Sequence, residues 1–277
     1  MMRIANNLRE APAVIGIAML SIFLGAAGCA KEDNSKNEPL PVKVSWPAVA
    51  PSALHVRFVH SLGYGGARLD LNSNGTFKYS DGCCMIEQEG SGTYTIESGV
   101  VVLESDESGP SETTKETFPK ATNIDWKPRR LAPIVWDQRL YLIDEDKVIE
   151  FCNQINAGFE PCRMFMYASF FLRDQDWENP ASGKPNLPPN YAEYLVDEPL
   201  EAKVVSQREY KLTINKGYDD GVRLGMRMYA DSNGVVCFPS GIEVVKVEDS
   251  SAAAEVRWGR WPMAGEAVYL RPKSPKD

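Results

Sequence analysis

The stretch DLNSNGTFKYSD, from Asp70 to Asp81, has the residue types and spacing of a calcium-binding loop. Such a loop places oxygen ligands at positions 1, 3 and 5, a glycine at position 6 and a bidentate acid at position 12. Asp70, Gly75 and Asp81 occupy the first, sixth and twelfth positions here. A calcium loop of this class lies between two helices, however, and the preceding HSLGYGGAR contains three glycines, which disfavour a helix.

The residues around this stretch instead alternate between apolar and polar types. Leu69, Leu71, Phe77 and Tyr79 fall on one face of two strands, with NSNG as the turn between them. Asn and Gly both accept the positive φ that a tight turn needs. The pattern therefore predicts a β-hairpin whose Asp70 points to solvent, and no metal site.

The chain has 2 histidines, His55 and His60, and this limits the catalytic arrangements that it can build. Residues five apart on a strand face opposite sides, so these imidazoles cannot bind one metal ion together. We interpret both as exposed or edge-strand residues. A hydrolase centred on one of them is the alternative.

Several motifs that carry chemistry in other proteins are absent from the sequence. It contains no GxSxG nucleophile turn, no GxxxxGK[ST] and no GxGxxG phosphate loop. Its neighbouring carboxylates, such as Asp144 to Asp146 and Asp219 with Asp220, are typical of a helix start and of a turn. The sequence therefore predicts a protein that is not an enzyme and binds no cofactor.

Six cysteines are present, and their spacing predicts one disulfide. Cys152 and Cys162 enclose the short loop CNQINAGFEPC, and an exported compartment permits them to bond. Cys83 and Cys84 are adjacent, which strains a bond between them, so one of them can instead pair with Cys237.

The first 28 residues predict an export signal. Arg3 and Arg9 provide a basic start, and APAVIGIAMLSIFLG is an apolar run of the length of a signal-peptide core. This run is shorter than the roughly 20 apolar residues that a membrane-spanning helix needs.

The end of this run, LGAAGCAK, resembles the lipobox of bacterial lipoproteins, in which the cysteine after the cleavage site is acylated with fatty acids such as palmitate. Cys29 occupies that position, with Gly28 and Ala27 before it. The resemblance implies a lipid on Cys29 that anchors the protein to a membrane of the bacterial cell envelope, facing the periplasm or the cell surface. Ordinary cleavage to a soluble exported protein is the alternative.

The charge balance narrows the choice of partners. The chain has 30 basic and 38 acidic residues, a net charge of −8 at pH 7. This excess of acid argues against a nucleic-acid surface, which needs clustered basic residues. It also disfavours binding to an anionic membrane through protein charge, so the lipid itself must provide any membrane attachment.

These features divide the chain into five parts. Residues 1–28 are the predicted signal peptide, 29–52 a polar, proline-rich tether that carries the lipid, and 53–173 a first β domain with a helix. Residues 174–198 are rich in proline and predict a linker, and 199–273 form the second domain.

The first domain is predicted to be an antiparallel β-meander with one helix packed on it. Its short β-branched and aromatic runs are separated by Gly, Asn and Ser. APIVWDQRLYLI adds a hairpin with Asp137 and Gln138 at the turn. Asp144 then suits a helix N-cap, apolar residues follow at helical spacing, and Gly158 suits the helix end.

One part of this domain, IVWDQRLYLIDEDKVIEFCNQINAGFEPCR, looks like a segment of uncharacterised exported bacterial proteins, in which the same strand, helix and turn features follow in order. The resemblance implies a hairpin packed on a helix and carries no known activity. The matching residues are Trp136, Tyr141, Leu142, Phe151, Asn153, Asn156, Gly158, Glu160 and Pro161.

From Ala202 onward, about five or six evenly spaced runs predict a small closed barrel or a compact sandwich. LTINKGYDDGVRLGMRMYA, GIEVVKVEDSSAAAEV and GEAVYL are similar to the small β-barrels of bacterial envelope-assembly proteins, such as the rod-shape-determining and flagellar accessory families. The resemblance implies a barrel that serves mostly protein–protein contact. Its matching residues are Ile214, Asn215, Gly217, Asp220, Gly221, Val222, Gly225, Met226, Val245, Ala252 and Gly265.

The sequence RWGRW near the end of this domain is a candidate contact patch. Trp258 and Trp261, with Arg257 and Arg260, are residue types that dominate interface energy. The alternative is a twisted strand end in which arginine stacks on indole.

Together these features predict a mainly β lipoprotein of the cell envelope that binds or scaffolds unidentified envelope proteins. One alternative is a lipocalin-like carrier, in which the meander Leu54–Glu104 encloses an apolar ligand. Another is an envelope hydrolase that uses His55 or His60.

Overall fold

The structure, a computed structural model, describes residues 44–61, 65–83, 86–110, 114, 128–162, 170–230, 241–259 and 261–270. This part of the chain is mainly β, with 14 antiparallel strands in two closed barrels and one helix of more than a single turn. The predicted fold class, an antiparallel β-meander with one packed helix followed by a small β-barrel, is therefore confirmed.

The first barrel contains eight strands that pair in chain order, and the last strand closes onto the first. The predicted meander is thus the beginning of an up-and-down barrel, which also includes the predicted hairpin around Asp137. Its strands are β1 (Arg57–Ser61), β2 (Gly65–Leu71), β3 (Thr76–Cys83), β4 (Ile86–Glu97), β5 (Val100–Pro110), β6 (Arg129–Trp136), β7 (Arg139–Asp144) and β8 (Phe170–Arg173).

The stretch DLNSNGTFKYSD forms the β2–β3 hairpin, as predicted. Leu71 lies opposite Phe77 across the turn, and Gly75 adopts a φ of 80°, which suits glycine. The side-chain Oδ1 of Asn74 accepts a hydrogen bond from the backbone N–H of Thr76 at 3.1 Å, which fixes the turn.

Alternate residues of the first barrel point inward and fill its interior near one end. Phe58 lies opposite Leu69, and directly opposed residues of antiparallel strands share a face. Leu54, at the end of the helical turn α1 (Pro51–Leu54), joins this cluster just before β1 begins. The buried members are Leu54, Phe58, Ala67, Leu69, Leu71, Phe77, Tyr94, Val101, Leu103, Leu131, Leu140, Leu142 and Phe171.

The helix α2 (Val148–Asn156) covers the outer face of β6, β7 and β8. Its apolar side recurs every three or four residues, and Phe151 packs edge-to-face on Tyr141 and Phe170, with ring centroids 5.3 and 5.8 Å away. Gly158 follows the helix with a φ of 75°, as a helix stop should. Asp144 precedes the helix, but its carboxylate makes no capping hydrogen bond because it pairs with Arg129 instead.

The segment predicted to be a linker, 174–198, is packed along the first barrel. Asp176 is buried and accepts hydrogen bonds from Arg173 and from the backbone N–H of Leu140. Asn186 bridges to the edge of β6 at Val135. The short helix α3 (Pro189–Ala192) then leads Tyr191 and the following residues onto α2.

Residues 44–52 belong to the folded unit, so the predicted tether is wrong for this part of 29–52. Trp46 is buried, stacks on Tyr191 at 5.4 Å between ring centroids and donates its indole N–H to Glu145. Exposing the large apolar surface of this tryptophan to water would be unfavourable, so its burial stabilises the fold. The described part of the fold therefore begins before the predicted domain boundary.

The second barrel contains six strands in the order β10-β13-β12-β11-β14-β9. Its interior is filled by apolar side chains such as Ile214, Met228, Ile242 and Val268, each fully buried. The strands are β9 (Glu201–Arg208), β10 (Lys211–Ile214), β11 (Arg227–Ala230), β12 (Gly241–Val247), β13 (Ala252–Trp258) and β14 (Ala267–Tyr269).

Helix α2 also binds the second barrel, chiefly through Asn153. The Asn153 side chain donates to the carbonyl of Gly225 and accepts from the backbone N–H of Arg227, each at 3.0 Å. The Tyr229 hydroxyl donates to the backbone carbonyl of Asn153, and the Arg227 guanidinium pairs with Glu150. Both barrels accordingly lie in one compact unit.

Candidate functional site

One end of the second barrel exposes large apolar side chains. β9 and β13 finish at this end, and β10 and β14 begin there. Five residues there are 39–60% exposed, although the barrel core is complete without them. We call this surface the aromatic end; its residues are Val205, Tyr210, Trp258, Trp261 and Met263.

Backbone hydrogen bonds fix the segments that carry these residues. The N–H of Gly265 donates to Val204, next to Val205, and the N–H of Val256 donates to Tyr210. Trp258 lies over Gly241, where a Cβ would come within 2.4 Å of the indole. A side chain at position 241 would therefore displace the Trp258 ring.

The predicted patch residues have different environments. Trp258 and Trp261 are exposed, while Arg257 extends to Glu243 and Glu255 at 3.0 and 2.8 Å. These carboxylates raise the pKa of Arg257. Arg260 lies outside the described residues, as does Cys29, the predicted site of lipid attachment.

The predicted disulfide between Cys152 and Cys162 is wrong for this structure, in which both residues are free thiols. Cys152 faces α3, with its sulfur 3.9 Å from the Tyr191 carbonyl oxygen. Cys162 lies beside Tyr141, and burial raises the pKa of both thiols, that of Cys152 to about 12. Both residues belong to the same buried cluster, but their sulfurs are not bonded to each other.

The interpretation of both histidines as exposed or edge-strand residues is wrong for His60, which is only 3% exposed inside the first barrel. Its Nδ1 lies 2.8 Å from the Phe170 carbonyl oxygen. A carbonyl only accepts, so Nδ1 carries the proton and Nε2 is left as an acceptor. Nε2 has no hydrogen-bond partner. His55 lies outside β1, at the end of α1, and is half-buried.

Other polar side chains lie with His60 at the end of the barrel interior away from Leu54. The Tyr79 hydroxyl donates to Asp81 at 3.1 Å. Arg129 donates to both carboxylate oxygens of Asp144, at 3.0 and 2.7 Å, and lies over the Tyr79 ring. We call this region the polar end; its residues are His60, Tyr79, Asp81, Arg129 and Asp144.

The polar end was missed from sequence because His60 was interpreted as an exposed or edge-strand residue and Asp144 as a helix N-cap. The period-two pattern contained the signal. Asp81 lies two residues after Tyr79, and His60 lies two residues after Phe58. Residues two apart on a strand share a face, so Asp81 and His60 belong to the inner face. Asp70 points to the outer face, where it binds Arg57. Asp70 and Asp81, the first and twelfth residues of the calcium-loop pattern, are therefore on opposite faces of the sheet.

A cleft of about 500 Å³ lies outside the first barrel, between the β6–β7 turn and residues 155–160 and 180–185. The polar groups that line it bind each other. The indole N–H of Trp136 donates to the Gly183 carbonyl, and Arg139 pairs with Glu160. These internal contacts favour a structural role for the cleft.

Burial of His60 predicts a pH-dependent stability. Burial lowers the pKa of His60 from its ordinary 6.5, although Asp81 opposes the shift. Below pH 6.5 the unfolded chain therefore binds more protons than the folded chain, and the free energy of unfolding should fall as pH drops towards the folded-state pKa. Above pH 6.5 the His60 imidazole is mainly neutral in the folded and the unfolded chain, so its burial no longer lowers the free energy of unfolding.

Urea unfolding between pH 5 and 8 measures this dependence. His60→Asn provides the control, because its amide can replace the Nδ1 donor without titrating. The control variant retains Tyr79, Asp81, Arg129 and Asp144. Any contribution of these residues to the pH dependence of stability is therefore the same in both proteins. Equal slopes in both proteins would contradict the assigned burial of His60.

Among the described residues, no helix has both the length and the apolar character to cross a bilayer. Comparisons of this chain with protein-family models, with curated proteins and with solved structures found no match.

Proposed function

We propose that this protein is a non-enzymatic binding or scaffolding component of the bacterial cell envelope, with the aromatic end as its contact surface. The supporting observation is that Trp258, Trp261 and Met263 stay exposed beside a barrel core that is already filled. Exposed tryptophan and tyrosine anchors are enriched in the centres of protein interfaces. The partner is a protein that offers a complementary apolar surface.

The packing of the first barrel favours this proposal over a lipocalin-like carrier. A carrier of an apolar ligand needs an open apolar cavity. In the described interior, Phe58, Phe77 and Phe171 are at most 1% exposed and pack where such a ligand would lie. The rest of the described interior is the polar end, whose charged side chains do not suit an apolar ligand.

A lipid on Cys29 would hold both barrels at a membrane surface. The basic start, the apolar run and the small residues before Cys29 support this part of the proposal. Mass spectrometry of the mature N-terminus tests it. We expect a diacylated or triacylated Cys29, and an unmodified Cys29 or a different first residue would contradict the anchor.

Co-purification from crosslinked native envelopes tests the contact surface. We expect Trp258→Ala with Trp261→Ala to reduce the crosslinked partners at least about tenfold, since interface anchors contribute about 2 kcal/mol or more. Leu224→Ala is the matched control, because Leu224 is also exposed but lies at the opposite end of the same barrel. An equal effect of the two changes, or no effect of either, would contradict the proposal.

A further inference from the structure

The aromatic end includes a methionine, Met263, whose side chain is 59% exposed. We propose that Met263 is a modification site: a peroxide oxidises its thioether to the sulfoxide, and this change removes the aromatic end from contact with its partner. The effect on contact rests on the proposed function, whereas the oxidation itself depends on the chain alone.

A hydrogen-bonded turn presents the Met263 side chain to solvent. Its N–H donates to the Glu266 carboxylate at 2.9 Å, and its carbonyl accepts from the N–H of Glu266 at 3.0 Å. The N–H of Gly265 donates to the carbonyl of Val204 on β9 at 2.8 Å, which ties this turn to the barrel. Exposure of the thioether is therefore a property of the folded chain.

Met263 is two residues from Trp261, an anchor of the proposed contact. The side chains of both are exposed, while Pro262 between them is buried. A new polar atom on Met263 therefore enters the surface that would meet an apolar partner.

Burial protects other oxidisable side chains of the described chain. Met226 and Met228 are fully buried in the core of the second barrel. Cys152 and Cys162 are buried too, and burial raises the pKa of both thiols, whereas the thiolate is the form that reacts. Of these five side chains, the fold leaves only Met263 open to a peroxide.

The reaction is a two-electron oxygen transfer. A lone pair of the Met263 sulfur attacks one oxygen of hydrogen peroxide, so that an S–O bond forms and the O–O bond breaks. The proton of the transferred OH group passes to the departing hydroxide, which leaves as water. The sulfur is oxidised to the sulfoxide and the peroxide is reduced.

The sulfoxide changes what the aromatic end can bind. It converts a flexible apolar side chain into a polar one that accepts hydrogen bonds. Against a complementary apolar surface this acceptor loses its water without gaining a donor, which is unfavourable. Met263 is not part of the barrel core, so its oxidation weakens contact without unfolding the barrel.

Peptide mass spectrometry of the purified mature chain after treatment with hydrogen peroxide tests the oxidation. Trypsin places Met226, Met228 and Met263 in three different peptides, and fragment ions distinguish Met263 from Trp261. We expect Met263 to gain one oxygen at least about tenfold faster than the other two, because a buried thioether must await local opening. In urea all three should react at similar rates. Similar rates in the folded chain would overturn the proposal.

Crosslinking after oxidation tests the effect on contact. The purified chain is oxidised, freed of peroxide and mixed with solubilised native envelopes, so that the partner itself is not oxidised. We expect treatment to lower the yield of crosslinked partner at least about tenfold, since the sulfoxide is left unpaired in the contact.

Met263→Leu is the control for this second test, and its own untreated yield is the reference. Leucine has no sulfur, and every other methionine is the same in both proteins, so we expect treatment to leave the yield of this variant unchanged. Equal fractional losses in the two proteins, or none in either, would overturn the effect on contact. No crosslinked partner before treatment would instead contradict the contact surface itself, and with it this effect.

Discussion

Replacing Asp144 by alanine should lower the free energy of unfolding by about 3–5 kcal/mol, because it leaves the Arg129 charge buried without its carboxylate. The two side chains are 18% and 17% exposed, and two charge-assisted hydrogen bonds join them. Arg129 also lies over the rings of Tyr79 and Phe171, which hold it inside the barrel after the change. Urea unfolding of the mature chain measures the loss.

The double variant Arg129→Met with Asp144→Leu is the control for this prediction. It removes both charges and keeps apolar contact with the two rings, so we expect it to be clearly more stable than Asp144→Ala alone. A loss below about 1 kcal/mol for Asp144→Ala, typical of an exposed pair, would show that Arg129 reaches solvent.

Replacing Asn153 by alanine should lower the free energy of unfolding by about 2–6 kcal/mol and weaken the connection between the two barrels. The change leaves the Gly225 carbonyl and the Arg227 N–H without their partner, and each such group costs about 1–3 kcal/mol when buried. Calorimetry should then show two thermal transitions where the unaltered chain shows one, because the barrels lose their shared contact.

Asn190→Ala is the matched control, since Asn190 is exposed on α3. A surface change of this kind should stay within about 0.5 kcal/mol. A single transition and a loss of similar size in both variants would show that Asn153 does not hold the barrels together.

Local pattern was sufficient to predict the elements whose residues are close in sequence. The alternation around NSNG predicted the β2–β3 hairpin, and the acidic start, apolar spacing and Gly158 predicted α2. The evenly spaced runs after Ala202 predicted the second barrel. In each case the turn residues and the spacing of the apolar residues indicate the same element, so the prediction did not depend on contacts between distant parts of the chain.

Features that depend on distant contacts could not be predicted in the same way. Closure of the first barrel pairs Phe58 with Arg173, and the sequence contains no local signal for this pairing. Closure also buries His60 and brings the half-buried Asp81 to the inner face, although both look like surface residues until the barrel interior exists. Trp46 is buried only because the segment around Tyr191 returns to it. The spacing of Cys152 and Cys162 could not show that both would be buried as free thiols.

Site-specific photocrosslinking in the native envelope tests the central claim, that the aromatic end is the contact surface of this protein. A photoreactive phenylalanine replaces Trp261 in one variant and Leu224 in another; both positions are exposed, at opposite ends of the second barrel. We predict a discrete crosslinked protein from position 261 and none from position 224. Crosslinks of equal yield from both positions, or none from position 261, would contradict the account.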